Sequence, residues 1–136
     1  MIRTSTTPTD IPGFSRKTRR RVLVADDNQD SAESLGMLLE LHGHEVRLAY
    51  DGQEALDAAG LFLPDVMLLD IGLPKMDGFE VASRLRQDSR HDRMLLVAVT
   101  GYGRDGDRER ARAAGFDHHL IKPVDPRTLA DLIAGA

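Results

Sequence analysis

The stretch VMLLDIGLPKMDG, residues 66–78, decides the fold. Val66–Leu69 is a continuous apolar run that ends in Asp70, and a loop with glycine and proline follows at 71–76. Asp77 then stands where a helix N-cap is expected. A strand that is apolar throughout, and does not alternate with polar residues, predicts burial on both faces. This is typical of a parallel sheet covered by helices on each side.

The same strand-then-helix pattern occurs five times between residues 20 and 136. It predicts a single α/β domain with a doubly wound (βα)5 arrangement and a five-stranded parallel sheet. The predicted strands are Val22–Ala25, Val46–Tyr50, Val66–Leu69, Met94–Val99 and Leu120–Ile121. The predicted helices begin after Asn28 or Asp30, span Gly52–Gly60, begin at Asp77, span Asp105–Ala114 and span Pro126–Ala134.

The composition excludes several classes of protein. The chain has 136 residues, enough for one domain with a sizeable core, and 41% of them are hydrophobic. Cysteine is absent, which excludes disulfides, thiolate metal sites and cysteine nucleophiles, and fits a cytoplasmic protein. The chain contains no apolar run of transmembrane length and no hydrophobic signal core, so we expect no membrane partner.

The net charge of −4 is unevenly distributed. Residues 1–21 carry a net charge of +5, so the remaining residues carry −9. An acidic body lacks the basic face that nucleic-acid binding requires, and we expect no nucleic-acid partner. Residues 1–19 are polar and basic without apolar periodicity, which predicts a flexible basic tail ahead of the domain.

Polar side chains follow four of the predicted strands, at the point where each strand ends. They are Asp26 and Asp27, Asp70, Thr100 and Lys122. In a parallel sheet of this kind the ligand site lies outside the carboxyl ends of the strands, so we expect these groups to meet. Carboxylates are ligands that Mg²⁺ prefers. A carboxylate can also accept a phosphoryl group, whose oxygens a cation and a hydroxyl can stabilise.

These residues resemble the receiver domains of two-component response regulators, of the chemotaxis-regulator type, over about residues 20–135. The acidic pair is Asp26-Asp27, and the phosphoacceptor position falls on Asp70 in the loop sequence DIGLPKMDG. The hydroxyl position falls on Thr100 and the Lys-Pro pair on Lys122-Pro123.

The resemblance implies a flavodoxin-like fold and a phosphoryl-accepting signalling switch with Mg²⁺ as cofactor. The metal would be held by Asp27 and Asp70 directly, by Asp26 mainly through water, and by the backbone carbonyl of Gly72. Lys122 would pair with Asp70, and its bond to Pro123 would be cis. The phosphoryl donor would be a histidine kinase or a phosphotransfer protein. An aromatic switch residue is common three positions before the lysine, where this chain has His119.

Two alternatives stay open at the level of sequence. Residues 101–106 read GYGRDG, a literal G-x-G-x-x-G after a strand and before a helix. This pattern could indicate a nucleotide-binding or redox α/β domain, although in a dinucleotide-binding unit it follows the first strand rather than the fourth. The other alternative is a degenerate receiver that serves only as a scaffold. Against it argues the intact set of Asp26, Asp27, Asp70, Thr100 and Lys122. In the switch interpretation, we expect the output surface around Thr100, helix 103–114 and His119.

Overall fold

The computed structural model describes residues 19–101 and 105–136, with the backbone alone for residues 105–107. The described residues form five strands, five α-helices and a short 3₁₀ helix, Ser89–His91. The strands are β1 (Arg21–Ala25), β2 (Glu45–Ala49), β3 (Val66–Asp70), β4 (Leu95–Thr100) and β5 (His118–Ile121). The helices are α1 (Gln29–Leu41), α2 (Gly52–Phe62), α3 (Gly78–Arg86), α4 (Asp105–Ala114) and α5 (Pro126–Ala134). The predicted tail up to residue 18 and positions 102–104 of the glycine loop lie outside the described residues.

The five strands form one parallel sheet in the order β2-β1-β3-β4-β5. Alternate residues of each central strand face opposite sides: Leu23 joins the core under α2, α3 and α4, whereas Val22 and Val24 join the core under α1 and α5. The predicted doubly wound fold is therefore confirmed. Within the described part of the chain, no helix has the length and apolar character needed to cross a membrane.

Several predicted boundaries are wrong by one or two residues. β1 also includes Arg21, β3 also includes Asp70, and β4 spans Leu95–Thr100 rather than Met94–Val99.

For three further elements the structure shows a local reason. β2 starts at Glu45, whose N–H donates to the Arg20 carbonyl, and ends before Tyr50, whose N–H donates to the Glu54 carboxylate. α2 continues past Gly60 to the buried Phe62, and its C-cap Leu63 lies in the left-handed region with φ 50°. β5 also includes His118 and His119, which pair with Val97 and Ala98.

Helix caps match the sequence pattern closely. Of the two candidates for α1, the N-cap is Asn28, whose Oδ1 accepts the Ser31 N–H at 3.0 Å. Asp77 and Asp125 cap α3 and α5 as predicted. Gly43 follows the end of α1 with φ 91°, a conformation that favours glycine.

Arg86 fixes the turn between α4 and β5. Its guanidinium donates to the Gly115 carbonyl at 3.0 Å, to the His91 carbonyl at 2.8 Å and to the Asp117 carboxylate at 2.9 Å. The same Asp117 oxygen accepts the Leu96 N–H at 2.8 Å. One side chain of α3 therefore holds the start of β5 against β4.

His44 stabilises the amino end of the sheet in its neutral form. The imidazole is buried, and its Nδ1 accepts the Arg20 backbone N–H at 3.0 Å. Burial, aided by the positive charges of His42, Arg20 and Arg19, lowers the pKa of His44 from 6.5 to about 4. Between these values the unfolded chain binds more protons than the folded chain, so stability falls as the pH falls from 6.5 towards 4.

We expect His44→Asn to remove this part of the pH dependence, because asparagine offers an acceptor to the Arg20 N–H and does not titrate. Urea unfolding at pH 7.5 and pH 4.5 measures the effect. From pH 7.5 to pH 4.5, the free energy of unfolding of the wild type should fall by on the order of 2 kcal/mol more than that of the variant. Equal losses in the two proteins would contradict the role given to His44.

Candidate functional site

The predicted site residues lie at one edge of the sheet, where backbone hydrogen bonds continue past the strands. The Asp26 N–H donates to the Ala49 carbonyl at 3.0 Å, and the Lys122 N–H donates to the Thr100 carbonyl at 2.8 Å. Such bonds fix the backbone from which the carboxylates and the ammonium project. The site is therefore built on the rigid ends of buried strands rather than on a free loop.

Asp26, Asp27 and Asp70 form a carboxylate cluster. One oxygen of each residue lies within 4.8 Å of the other two. Asp26 is buried, Asp70 is partly buried and Asp27 is exposed, so the cluster opens to solvent on one side. Like charges at this spacing repel one another, and the site needs positive charge to be stable.

Lys122 supplies part of that charge. Its Nζ lies 2.8 Å from Asp26 Oδ2 and 3.1 Å from Asp70 Oδ2, so the ammonium bridges β1 and β3. The other oxygens accept backbone donors: Asp26 Oδ1 from the Asn28 N–H and Asp70 Oδ1 from the Gly72 N–H, both at 2.9 Å. The predicted pairing with Asp70 is present, and the shorter contact with Asp26 is one that the sequence did not predict.

The pKa values of Asp70 and Lys122 are both raised, but for different reasons. Burial raises the pKa of the Asp70 carboxyl, and this effect exceeds the opposing one of the Gly72 N–H and the Lys122 ammonium. Burial also acts on Lys122, where it would lower the pKa, but the hydrogen bonds with Asp26 and Asp70 raise it overall. Lys122 is therefore protonated at neutral pH. The ionised form of Asp70 would be stabilised by any further cation at the site.

Thr100 and Gly72 complete the predicted set. Thr100 is buried at the end of β4, in register with Ile121, directly before Lys122 on the neighbouring strand. Gly72 is exposed, and a Cβ there would lie 3.6 Å from Asp70 Oδ1. The peptide bond between Lys122 and Pro123 is cis, as the family resemblance implied. His119 is half-buried in β5, in register with Ala98.

The loop after Asp70 closes on itself through Gly78. The Gly78 N–H donates to the Ile71 carbonyl at 2.9 Å. A Cβ on Gly78 would lie 2.7 Å from the Ile71 Cα and 2.8 Å from the Asp70 carbonyl oxygen, so only glycine fits without a shift of the backbone. The Asp-Gly pair at 77–78 thus sets both the start of α3 and the shape of the loop.

A contact that the sequence did not predict joins this loop to α4. The Arg110 guanidinium lies 4.1 Å from the centre of the Phe79 ring and 3.8 Å from Asp77 Oδ2. The sequence predicts weak docking of α4, since its apolar residues are alanines. Ala111 is indeed buried, but Arg110 adds a cation–π contact and an ion pair. An arginine directly before an alanine-rich stretch gives no pattern that would reveal such a partner.

The donor set fits Mg²⁺. Three carboxylates are hard oxygen donors, which this ion prefers, and with one ammonium they leave a local charge of about −2 that a divalent cation balances. A partly exposed cluster also leaves room for the water ligands that Mg²⁺ retains.

Comparison with known proteins defines the family. Residues 22–134 match the response regulator receiver domain. The chain is 34% identical over 105 residues to the polar-differentiation response regulator DivK of Brucella anthropi, covering 77% of this chain and 85% of DivK.

Solved structures of receiver domains and chemotaxis regulators have the same fold as this chain. Vibrio cholerae chemotaxis protein CheY4 superposes with a TM-score of 0.80 at 30% identity, covering 85% of this chain and 96% of that chain. The receiver domain of the sensor histidine kinase PA1611 of Pseudomonas aeruginosa superposes with a TM-score of 0.79 at 27% identity, covering 87% and 99%. That structure has a magnesium ion coordinated in its active site cleft.

The sheet order, the acidic edge and these matches define a class of regulatory α/β domain that carries its site at the carboxyl ends of the strands. The chain belongs to the response regulator receiver domain family. It is a phosphoacceptor switch of two-component signalling, a system in which response regulators act with histidine kinases and downstream effectors. The matched range includes the glycine loop at 101–106, which is therefore part of a receiver domain and not of a dinucleotide-binding unit.

We expect Asp27→Ala to weaken Mg²⁺ binding by about tenfold, because it removes one of three clustered carboxylates while leaving the buried Asp26–Lys122 pair intact. Amide NMR titration with MgCl₂ measures the affinity. At ten times the wild-type Kd, Mg²⁺ should also raise the free energy of unfolding of the wild type by about 1.4 kcal/mol.

Asp57→Ala is the matched control for charge, because Asp57 is an exposed carboxylate on α2. This variant should bind Mg²⁺ like the wild type. An unchanged affinity in Asp27→Ala, or an equal loss in the control, would show that the ion does not bind at the carboxylate cluster.

Proposed function

We propose that Asp70 is the phosphoryl acceptor of this receiver domain. The observation that carries the proposal is the position of its carboxylate at the end of the central strand β3, beside Asp26 and Asp27 and in contact with the Lys122 ammonium. A carboxylate that is partly buried, with its pKa raised by burial, remains close to solvent and to an incoming donor.

In the proposed step, an Asp70 oxygen attacks the phosphorus of a phosphohistidine on a histidine kinase or a phosphotransfer protein. The P–O bond to Asp70 forms as the P–N bond breaks, and the electron pair of that bond goes to the imidazole of the donor. Water later attacks the phosphorus, which returns the carboxylate and releases inorganic phosphate. The domain thus catalyses only its own phosphorylation and dephosphorylation.

Asp26, Asp27 and Asp70, with the backbone carbonyl of Gly72, would hold Mg²⁺. Bound there, the ion would supply positive charge against the carboxylates and the phosphoryl oxygens. The magnesium in the cleft of the PA1611 receiver domain supports this assignment. Deprotonated carboxylates are needed for metal binding, and the Lys122 ammonium lowers the pKa of Asp70, against the effect of burial.

Lys122 and Thr100 are proposed to stabilise the phosphoryl group. Lys122 already contacts Asp70, and Thr100 ends the adjacent strand β4. A phosphoryl group on Asp70 would draw the ammonium and the hydroxyl towards its oxygens, and the chain that follows Thr100 leads into α4. We propose that α4 and His119 form the surface that changes. We also propose that residues 1–19 form a basic tail outside the receiver domain, which spans residues 20–136. The proposed location of the protein is the cytoplasm.

We expect one phosphoryl adduct after incubation of the protein with acetyl phosphate and Mg²⁺, measured by intact mass spectrometry. Asp70→Asn should abolish the adduct, because an amide oxygen is a poor nucleophile and cannot form the acyl phosphate. Asp57→Asn, the same substitution at an exposed position of α2, should retain it. An adduct of equal yield in Asp70→Asn would exclude Asp70 as the acceptor.

Hydrogen exchange tests the proposed output surface. In the ligand-free protein, we expect residues 108–114 of α4 to exchange faster than α1, because only Ala111 of that stretch is fully buried. Beryllium fluoride with Mg²⁺, a mimic of the phosphoryl group, should slow exchange in α4. Lys122→Ala should lose this response. Protection that is equal in α1 and α4, and insensitive to the mimic, would contradict α4 as the switch element.

A further inference from the structure

The β3–α3 loop, residues 71–77, lies directly against the first turn of α2. The backbone of Gly52 is so close to this loop that a Cβ there would lie 2.7 Å from the Met76 carbonyl oxygen and 2.8 Å from the Met76 Cβ. It would also lie 3.0 Å from Val81 Cγ2 on α3. Neither Met76 atom is the mobile end of a side chain. A side chain at position 52 therefore requires the helix or the loop to move.

Of these two elements, α2 is held more firmly. Ala55 and Ala59 of α2 are completely buried in the core, and the carboxylate of Asp51 caps the helix. In the loop, by contrast, Pro74 and Lys75 are exposed. A side chain at position 52 would therefore displace the loop rather than the helix.

Lys75 provides a second contact between the loop and α2. Its Nζ lies 3.5 Å from Asp51 Oδ2, in the residue directly before Gly52. Its φ is 70°, in the left-handed region, which costs free energy for a residue with a Cβ and persists only where the surrounding structure holds it. An exposed ion pair contributes little stability, so the packing of Met76 against Gly52 is the stronger of the two contacts.

The β3–α3 loop is also closed at its base, where Gly78 packs against Ile71 and the Asp70 carbonyl. A displacement of Met76 therefore cannot be absorbed at the base and is passed on to residues 72–75. Gly72 is the first of these residues. Its N–H donates to Asp70 Oδ1 at 2.9 Å, and its carbonyl is a proposed Mg²⁺ ligand.

We propose that Gly52 is a positioning residue for the phosphorylation of Asp70, because its contact with Met76 sets where the β3–α3 loop holds Gly72. This inference rests on the proposed function of Asp70 as the phosphoryl acceptor. Gly52 has no side chain with which to touch the metal or the phosphoryl group, and it acts through the loop alone. The helix α2 thus takes part in building the site without contributing a side chain to it.

A comparison of Gly52→Ala with Gly60→Ala tests the proposal on the full chain. Both variants place alanine in α2, but a Cβ at Gly60 would meet only Arg90 Nη2, at the ordinary distance of 3.7 Å. At saturating acetyl phosphate and Mg²⁺, we expect the rate constant of phosphorylation to fall roughly tenfold in Gly52→Ala, because the groups around Asp70 are misaligned. The acetyl phosphate concentration that gives half the maximal rate should not change. Gly60→Ala should behave like the wild type.

Two amide NMR signals separate a displaced loop from a general loss of stability. The Gly72 N–H donates to Asp70 Oδ1 and the Asn28 N–H donates to Asp26 Oδ1, both at 2.9 Å. In Gly52→Ala, the Gly72 signal should shift and its amide should exchange faster, whereas the Asn28 signal should stay as in the wild type. The affinity for Mg²⁺ should fall severalfold, because Gly72 is a proposed ligand.

Should Gly52→Ala not fold, Met76→Gly removes the loop side of the same contact. This variant should show the same pattern, with slower phosphorylation, an altered Gly72 signal and an unaltered Asn28 signal.

A wild-type rate constant or an unshifted Gly72 signal in the folded variant would overturn the proposal. An equal loss of rate in Gly60→Ala, or equal shifts at Gly72 and Asn28, would overturn it as well. The absence of any adduct in the wild type would instead contradict the phosphoacceptor proposal. In that event, the Mg²⁺ affinity and the two amide signals would still decide whether Gly52 positions Gly72.

Discussion

Repulsion among three carboxylates is the constraint that the rest of this structure has to balance. Asp26, Asp27 and Asp70 are held with oxygens within 4.8 Å of one another by strands that are almost completely buried. The strands cannot relax apart without breaking the parallel ladder and exposing the apolar core. The charge must therefore be balanced locally, and the ammonium of Lys122, 2.8 Å from Asp26 and 3.1 Å from Asp70, does so in part. The residual negative charge makes the site responsive to a cation or to modification of Asp70.

The fold could be predicted because its strongest features are local in sequence. The apolar run before Asp70 requires burial on both faces, and five repeats of strand and helix leave few ways to arrange a sheet. Boundaries were less predictable, since tertiary contacts decide them. Glu45 joins β2 because the Arg20 carbonyl is in reach of its N–H, and α2 runs past Gly60 because the core accepts Phe62. Neither contact is visible in the residues next to the boundary.

The residues of the site could be predicted for a different reason. Parallel topology brings every carboxyl end to one edge, so position in the strand alone places Asp26, Asp70 and Lys122 together. Pairing within the site depends on side-chain geometry and could not be predicted in the same way. The contact of Lys122 with Asp26 crosses 96 residues of sequence, and that of Arg86 with Asp117 crosses 31. Arginine and lysine have many carboxylates within reach in so charged a chain, and only the packed structure selects among them.

Two connections join Asp70 to α4, and they differ in kind. One runs through β4: Thr100 neighbours the site, and the chain beyond it leads into the helix. The other runs through the loop after Asp70, where Gly78 packs against Ile71 and the adjoining Asp77 and Phe79 hold Arg110. Among the described side chains of the helix only Ala111 is fully buried, and the contacts of Arg110 with Phe79 and Asp77 add to its docking. Because Arg110 is committed to α3, Arg108 and Arg112 are left on the side of β5. The placement of Arg110 against α3 therefore anchors α4 near Asp70 and also leaves two positive charges on the surface that α4 presents beside β5.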